Sequence, residues 1–207
     1  MTIVHSPVFY DDLTLSLAEL RRIVEKGEHD RRSAAHHPVV ANVDASGVPQ
    51  QRVLILRNCD WAKRQLRFHT DSRSDKVSQY GERAETSILI YDEPAKIQIR
   101  LSGLARLGDD DVSDIAWGRS TPFARRCYMA VDAPGSIAEQ PTSGLPDWIA
   151  GKQPEEEQLA PVRENFATLL VTIKAAEWLY LANAGHRRAR WQWNETTENW
   201  SGNWLIP

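Results

Sequence analysis

Cysteine is scarce in this chain: its 207 residues include two, Cys59 and Cys127, which lie far apart. Their number and spacing exclude a disulfide framework and a four-thiolate zinc site. No apolar run approaches the roughly 20 residues of a membrane-spanning helix, so no membrane association is expected. The net charge of −3 provides no basic field, and nucleic acid is therefore not an expected partner. Residues 1–5 lack the basic and apolar regions of a secretory signal, which together with the two thiols predicts a cytoplasmic protein.

The composition is that of an ordinary globular protein, with 42% hydrophobic and 26% charged residues. A chain of this length is expected to form one domain. Asp11 or Asp12 can cap a first helix, and Gly27 can end it. The pattern predicts this helix at 11–27, a barrel core at about 38–107, helices and a long loop at about 109–166, and strands at 168–207.

Short segments of alternating apolar and polar residues fill much of the chain. Ile97, Ile99 and Leu101, for example, alternate with polar residues, as in a strand with one buried face. Predicted strands span residues 39–44, 51–57, 66–71, 86–91, 96–103, 168–174, 177–181, 188–193 and 199–206. Many short strands with few helices between them indicate a mainly β protein with flanking helices (α+β), built as an antiparallel barrel.

Tryptophan is abundant, with eight residues in the chain. Five of them lie close to its C-terminal end: Trp178, Trp191, Trp193, Trp200 and Trp204. The favoured interpretation is a C-terminal hairpin or sheet that packs on the core. An aromatic wall for a flat ligand and a subunit interface are the two alternatives.

A strand-to-helix junction at residues 71–77 combines two serines with two cations, Arg73 and Lys76. Cations at a helix N-terminus conflict with the positive end of the helix dipole, and a bound anion would remove the conflict. Backbone amides, hydroxyls and cations would then converge on a phosphate. The alternative is a solvated turn in which the cations pair with Asp71 and Asp75.

Three further segments carry candidate ligand-binding groups. Arg52 and Arg57 bracket an apolar strand, and a buried arginine requires an anionic partner, although an edge strand with both ends in water is the alternative. The amide of Gln98 could bind a heterocycle edge. The basic segment 185–190 is either a ligand-binding turn or an ordinary surface turn. The adjacent histidines His36 and His37 lack the spacing of common metal motifs, so no metal site is predicted.

In this order and spacing, the segments resemble the pyridoxamine 5′-phosphate oxidase superfamily of FMN-binding split barrels. The resemblance runs from about Arg31 to Pro207 and is closest to the oxidase-related FMN-binding group rather than to the vitamin-B6 oxidase itself. The motifs that carry it are Arg52–Arg57, His69-Thr70, Ser74-Asp75-Lys76 with the clamp arginine displaced to Arg73, Gln98 five residues before a strand-ending Gly103, His186-Arg187-Arg188, and the terminal Leu205-Ile206-Pro207.

The resemblance implies an antiparallel split β-barrel that forms a homodimer with FMN at the interface and acts on a small-molecule substrate. It implies that Arg52, Arg57, Arg73, Ser74 and Lys76 hold the phosphate and ribityl chain. Gln98 would contact the isoalloxazine, and Arg188, with Pro134 and Gly135, would come from the other subunit. Arg188 would stabilise the reduced, anionic ring. The remaining residues of the implied FMN site are Val53, Leu54, Ile55, His69, Thr70 and His186.

Departures from the oxidase concern the substrate. Ala184 stands where the oxidase has an arginine that grips the substrate phosphate, and Leu179 stands where it has a tryptophan beside the flavin. Weak or no pyridoxamine-phosphate oxidase activity is therefore expected. The predicted function is an FMN-dependent oxidoreductase with an unidentified small substrate, with His69 and His186 as candidate proton donors. The alternatives are a non-catalytic flavin carrier or sensor, a split barrel for haem or a deazaflavin, and a protein without a ligand.

Overall fold

A nine-stranded antiparallel sheet forms the centre of the fold. The computed structural model of the chain describes residues 7–207, so the segment Met1–His5, for which no secretory signal is expected, lies outside the described residues. The strands are β1 (Val39–Val43), β2 (Pro49–Val53), β3 (Leu56–Asp60), β4 (Gln65–Asp71), β5 (Ala84–Asp92), β6 (Ile97–Leu107), β7 (Phe166–Tyr180), β8 (Arg187–Asn194) and β9 (Asn199–Leu205). The helices are α1 (Leu13–His29), α2 (Asp75–Tyr80), α3 (Asp110–Gly118), α4 (Pro122–Arg125) and α5 (Glu156–Leu159).

Strand β7 is the longest strand, and it organises the sheet. One edge of β7 pairs with β6, and its other edge pairs first with β4 and then with β8, which carries β9. The full order is β2-β1-β5-β6-β7-β4-β3, so two strands that are adjacent in the chain, β2 and β3, lie at opposite ends of the path. The sheet curls without closing, and the expected antiparallel, mainly β split-barrel fold with flanking helices is confirmed.

The core lies inside this curled sheet and against α1. Ile97, Ile99 and Leu101 are fully buried, as their alternation predicts. Trp178 and Trp191 are also buried in the core, so the packing interpretation of the C-terminal tryptophans is confirmed for these two. A second apolar cluster joins α3 and α5 to the start of β7.

Two strand predictions are wrong in a way that matters for the site. Residues 51–57 do not form one strand, because the chain leaves β2 after Val53 and crosses to β3 at the other end of the sheet. The amide of Leu54 donates to the Pro38 carbonyl at this crossing. Conversely, residues 168–174 and 177–181 are one strand, β7.

Glycine explains two further differences. Gly103 does not end its strand; it lies at a register shift where a Cβ would overlap the carbonyl oxygen of Thr172. Gly27 does not end α1, because its lack of a side chain lets the helix pack against the backbone of Ala35. Of the two candidate caps for α1, Asp12 is the one whose carboxylate accepts the Leu15 amide, at 2.8 Å.

The expected long loop spans residues 132–151, which contain neither a helix nor a strand. The helices before it begin as expected, with the Asp109 carboxylate accepting the Val112 amide at 3.0 Å. Within residues 7–207, no helix is long and apolar enough to cross a membrane.

Candidate flavin-binding site

The predicted phosphate loop connects β4 to α2. Within it, the Ser74 hydroxyl makes hydrogen bonds as both a donor and an acceptor. The Ser74 hydroxyl donates to the Asp71 carbonyl oxygen at 2.6 Å. It accepts from the Lys76 ammonium at 2.9 Å and lies 3.4 Å from the hydroxyl of Thr70. Ser74 is buried and does not cap α2 with its side chain. Its oxygen therefore fixes the position of the Lys76 ammonium.

Arg52 joins this group from strand β2. Its guanidinium donates to the side-chain oxygen of Asn42 on β1 and, at 3.5 Å, to that of Gln79 on α2. We call Arg52, Ser74 and Lys76 the clamp. The loop, β2 and α2 thus meet through side chains that are separate in the sequence.

The nearby carboxylates do not fully balance the positive charges of Arg52 and Lys76. Burial, and then the charge of Arg52, lower the pKa of Lys76, while Asp71 and Asp75 raise it to a smaller extent. The Tyr80 hydroxyl lies beside Arg52, and burial raises its pKa although the neighbouring guanidinium acts in the opposite direction. A dianion would relieve the repulsion between the two cations, so the residues present fit a phosphate.

Arg73 is held elsewhere in this structure. Its guanidinium forms two hydrogen bonds to the carboxylate of Asp71, at 3.0 and 2.8 Å, and a third, at 3.0 Å, to the carbonyl oxygen of Ala130. This is the pairing that the alternative reading of the loop gave for Arg73. A phosphate contact by Arg73 stays a prediction, and it requires Arg73 to leave Asp71.

Arg57 and His69 line a cavity of about 490 Å³ beside β3 and β4. The Nε of Arg57 and the Nε2 of His69 are buried without a hydrogen-bond partner among the described residues. Burial, reinforced by the charges of Arg57 and Arg67, lowers the pKa of His69 to about 3. The imidazole is therefore neutral at physiological pH.

Gln98 and Arg188 lie in one row across three strands. Gln98 of β6 is paired with Leu179 of β7, which is paired with Arg188 of β8. Arg188 donates to the buried carboxylate of Glu177 at 2.9 Å. The row thus brings the predicted ring-contacting residues together around Leu179.

The other predicted residues lie at a strand end or on connections. Val53 is exposed at the end of β2, and Leu54 and Ile55 are half-buried at the crossing between β2 and β3. His186 is exposed in the turn before β8. Pro134 and Gly135 are exposed in the long loop, where a Cβ on Gly135 would lie 3.8 Å from the Asp75 carboxylate of the same chain. Their predicted contribution from a partner subunit stays a prediction.

Sequence reasoning missed several polar residues that the fold brings to these sites. Asn42 and Gln79 hold Arg52, and Arg67 and Arg119 line the cavity. Two signals were available: Asn42 interrupts an apolar strand, and Arg67 shares the polar face of β4 with His69. Gln79 and Arg119 carry no such signal, because helix packing alone brings them to the sites.

Comparison with known proteins agrees with this arrangement. Residues 18–109 match the family model of the pyridoxamine 5′-phosphate oxidase FMN-binding domain. The matched segment contains the clamp, Arg57, His69 and Gln98, and ends before Pro134 and Arg188. No curated protein matches the chain.

Two solved structures are similar over the whole length of the chain. One is a pyridoxamine 5′-phosphate oxidase-related FMN-binding protein from Nostoc punctiforme, with a TM-score of 0.71, 22% identity, and coverage of 98% of this chain and 100% of that one. The other is PhzG from Burkholderia lata in complex with tetrahydrophenazine-1-carboxylic acid, with a TM-score of 0.69, 19% identity and full coverage of both chains. The match to the FMN-binding domain model is thus confined to residues 18–109, and the chain shares its overall fold with these two proteins.

Proposed function

We propose that this protein is an FMN-dependent oxidoreductase that acts on an unidentified small organic molecule. In this proposal it is a cytoplasmic, single-domain protein that forms a homodimer with FMN at the subunit interface. The observation that carries the proposal is the clamp: the Lys76 ammonium, held by Ser74, is half-buried close enough to Arg52 for the guanidinium charge to lower its pKa. An FMN phosphate supplies the missing charge.

Each part of the chain has a defined task in this proposal. The clamp binds the phosphate, and Gln98 and Arg188 orient the ring from the row around Leu179. Bound FMN supplies the redox chemistry. Because His69 is neutral above about pH 3, it serves as a hydrogen-bonding group rather than as a proton donor, which leaves His186 as the candidate acid.

A flavin carrier or sensor without turnover is the second candidate. It is favoured by Ala184, which removes the arginine that grips the substrate phosphate in the oxidase that the sequence resembles. The cavity of about 490 Å³ beside Arg57 and His69 favours the oxidoreductase, because its volume suits a small organic molecule.

A flavin titration tests cofactor binding. We expect wild-type protein to take up FMN stoichiometrically and to quench its fluorescence. The Lys76→Met variant loses one charge-assisted phosphate contact and should bind FMN roughly ten- to a hundredfold more weakly. Lys63→Met, which changes an exposed lysine paired with Asp60, is the matched control. A wild-type protein that fails to take up FMN would overturn the proposal.

Turnover separates the two candidates. The loaded protein is mixed anaerobically with candidate donors, including pyridoxine phosphate, and flavin bleaching is followed. We expect bleaching by a small organic donor other than pyridoxine phosphate, which should react weakly because Ala184 stands where the oxidase has its phosphate-gripping arginine. Stable FMN binding with no bleaching by any donor would favour the carrier.

A further inference from the structure

We propose that Glu177 is a positioning residue that holds the Arg188 guanidinium for its contact with the flavin ring. This inference deepens the proposed function and rests on it, since Arg188 is expected at the ring only if the protein binds FMN. Glu177 lies on β7 two residues before Leu179, the centre of the row that contains Gln98 and Arg188. Alternate residues of a strand point to the same side, so Glu177 and Leu179 share one face of the sheet.

The contact between Glu177 and Arg188 uses particular atoms. Arg188 donates from its Nε and from its Nη2 to one carboxylate oxygen of Glu177, Oε1, at 3.1 and 2.9 Å. A guanidinium has five N–H groups, and the two on Nη1 take no part in this contact. Glu177 therefore holds one edge of the Arg188 guanidinium and leaves Nη1 for a ligand.

The carboxylate of Glu177 is itself held in place. Its side chain is almost fully buried, and atoms of Arg100 and Arg190 lie 3.3 Å from its Oε1 and Oε2. Half of each of these two arginine side chains is exposed, whereas 30% of the Arg188 side chain is exposed. Arg188 thus makes the shortest contact with the carboxylate, and Arg100 and Arg190 prevent the carboxylate from turning away.

Arg188 requires such a partner to keep one orientation. A long arginine side chain loses conformational entropy when it is fixed, and water competes for its N–H groups where it is exposed. Without Glu177, the guanidinium would spread over several orientations, and only some of them would face the ring. Glu177 orders Arg188 before the flavin binds, which is a contribution to preorganisation.

The sign of one change distinguishes this role from a simple effect of charge. A guanidinium at the ring stabilises the reduced, anionic flavin and raises its midpoint potential. If Glu177 acted only as a negative charge near the ring, its removal would raise the midpoint potential. Because it acts through Arg188, its removal releases the guanidinium, and the midpoint potential falls.

The test is the midpoint potential of bound FMN in the wild type and in the Glu177→Met and Arg188→Met variants. We expect each change to lower the equilibrium constant for flavin reduction roughly tenfold, which is about 30 mV for a two-electron couple. The double variant should have the potential of Arg188→Met alone. Glu195→Met removes an exposed acid that pairs with Arg64 and should leave the potential unchanged.

Glu177→Gln is the conservative variant. Its amide oxygen still accepts a hydrogen bond from Arg188, so the orientation is retained while the negative charge is lost. We expect its midpoint potential to equal or exceed that of the wild type. A potential in folded Glu177→Met that is equal to or higher than that of the wild type would overturn the positioning role.

A second measurement does not depend on the stability of the Glu177 variants. The Nε–H signal of Arg188 is assigned by its loss in Arg188→Met and followed by NMR in the wild-type protein before and after FMN is added. It should exchange slowly with water in both states, because Glu177 accepts this hydrogen bond. A signal that exchanges rapidly until FMN is added would show that the flavin orients Arg188, and the proposal would be overturned.

The two measurements separate this inference from the proposed function. FMN binding with an unchanged potential in Glu177→Met would overturn the positioning role alone. Failure of the wild type to take up FMN would overturn the flavin function, and with it the role of Glu177 at the ring. Slow exchange of the Arg188 Nε–H in that protein would identify the failure as one of cofactor binding and not of the contact.

Discussion

Arg73 and Asp71 form a two-point ion pair at the end of β4, with separations of 3.0 and 2.8 Å between their hydrogen-bonding atoms. The Asp71 carboxylate is almost fully buried and also accepts the backbone amide of Arg73. The third hydrogen bond of Arg73, to the carbonyl oxygen of Ala130, ties β4 to the start of the long loop. Arg73 thus holds the connection on which the clamp is built.

Arg73→Met should therefore cost more stability than flavin affinity. Removing the guanidinium leaves a buried carboxylate without its cation, and we expect a loss of about 2 kcal/mol in the free energy of unfolding. FMN should bind less than about tenfold more weakly, a smaller effect than that of Lys76→Met. Urea unfolding and flavin titration measure the two effects. A larger loss of FMN affinity than in Lys76→Met would instead assign Arg73 to the phosphate.

The pH dependence of stability should carry the signature of His69. The unfolded imidazole takes up a proton near its ordinary pKa of about 6.5, whereas the folded one, enclosed by Arg57, Arg67 and the ring of Phe166, does so at about 3. Protonation therefore favours the unfolded chain. The contribution is fully present above about pH 6.5 and is lost as the pH falls towards 3, by at most about 1.4 kcal/mol per pH unit.

His69→Phe isolates this effect, because all other titrating groups are common to both proteins. Between pH 7 and pH 4.5, the free energy of unfolding of the wild type should fall more steeply than that of the variant. Parallel profiles would show that the imidazole gains its proton as readily in the folded protein as in the unfolded chain.

Gly103→Ala should be strongly destabilising. A Cβ at this position would overlap the carbonyl of Thr172 on β7, and a backbone group cannot swing aside as a flexible side chain can. We expect a cost of about 3 kcal/mol, at the upper end for overpacking. Gly118→Ala is the control, because a Cβ there would meet open space at the end of α3. Thermal unfolding compares them, and equal melting temperatures would contradict the close approach of β6 to β7.

Glu177 should contribute more to the free energy of unfolding than an exposed acid does, because three arginines share its buried carboxylate. The atoms of Arg188, Arg100 and Arg190 lie 2.9, 3.3 and 3.3 Å from its oxygens. Since these arginines are partly exposed, Glu177→Gln should cost about 2 kcal/mol rather than the full penalty of a dry site.

The control for this prediction is Glu195→Gln. Glu195 is largely exposed and pairs with Arg64 at 3.3 Å, so its change should cost less than about 0.5 kcal/mol. Salt should reduce the cost of Glu177→Gln, because added ions screen the repulsion among the three arginines. Equal effects for the two glutamates in chemical denaturation would contradict the shared ion pair.

Local pattern was sufficient where neighbouring residues decide the structure. Ile97, Ile99 and Leu101 alternate with polar residues because one face of β6 is buried. Ser74 lies directly before α2, a position at which serine is common. The crossing at Leu54 was not predictable, because the apolar run of residues 53–56 continues across it without a turn signal. Only the order of strands in the sheet shows that the chain changes edge there.

The residues of the candidate site likewise divide into those indicated by the local sequence and those that only the fold brings together. The clamp residues could be singled out from the sequence because the loop concentrates polar groups within a few positions, and Arg52 is a cation directly before the apolar run 53–56. The cavity beside β3 and β4 was missed, because Arg67 and Arg119, which line it, come from elements that meet only in the folded chain. The ion pair of Arg73 was anticipated as an alternative, since Asp71 lies two residues away.

The two-residue crossing between β2 and β3 has a mechanical consequence. Arg52 lies just before the crossing and Arg57 just after it, on the two edge strands of the open sheet. Because the sheet is open, the backbone at Leu54 and Ile55 is a covalent link between these two edges. A molecule bound by both arginines would add a second, reversible link beside it. Its binding energy would oppose separation of β2 from β3, and after its release the backbone link alone would hold the two edges.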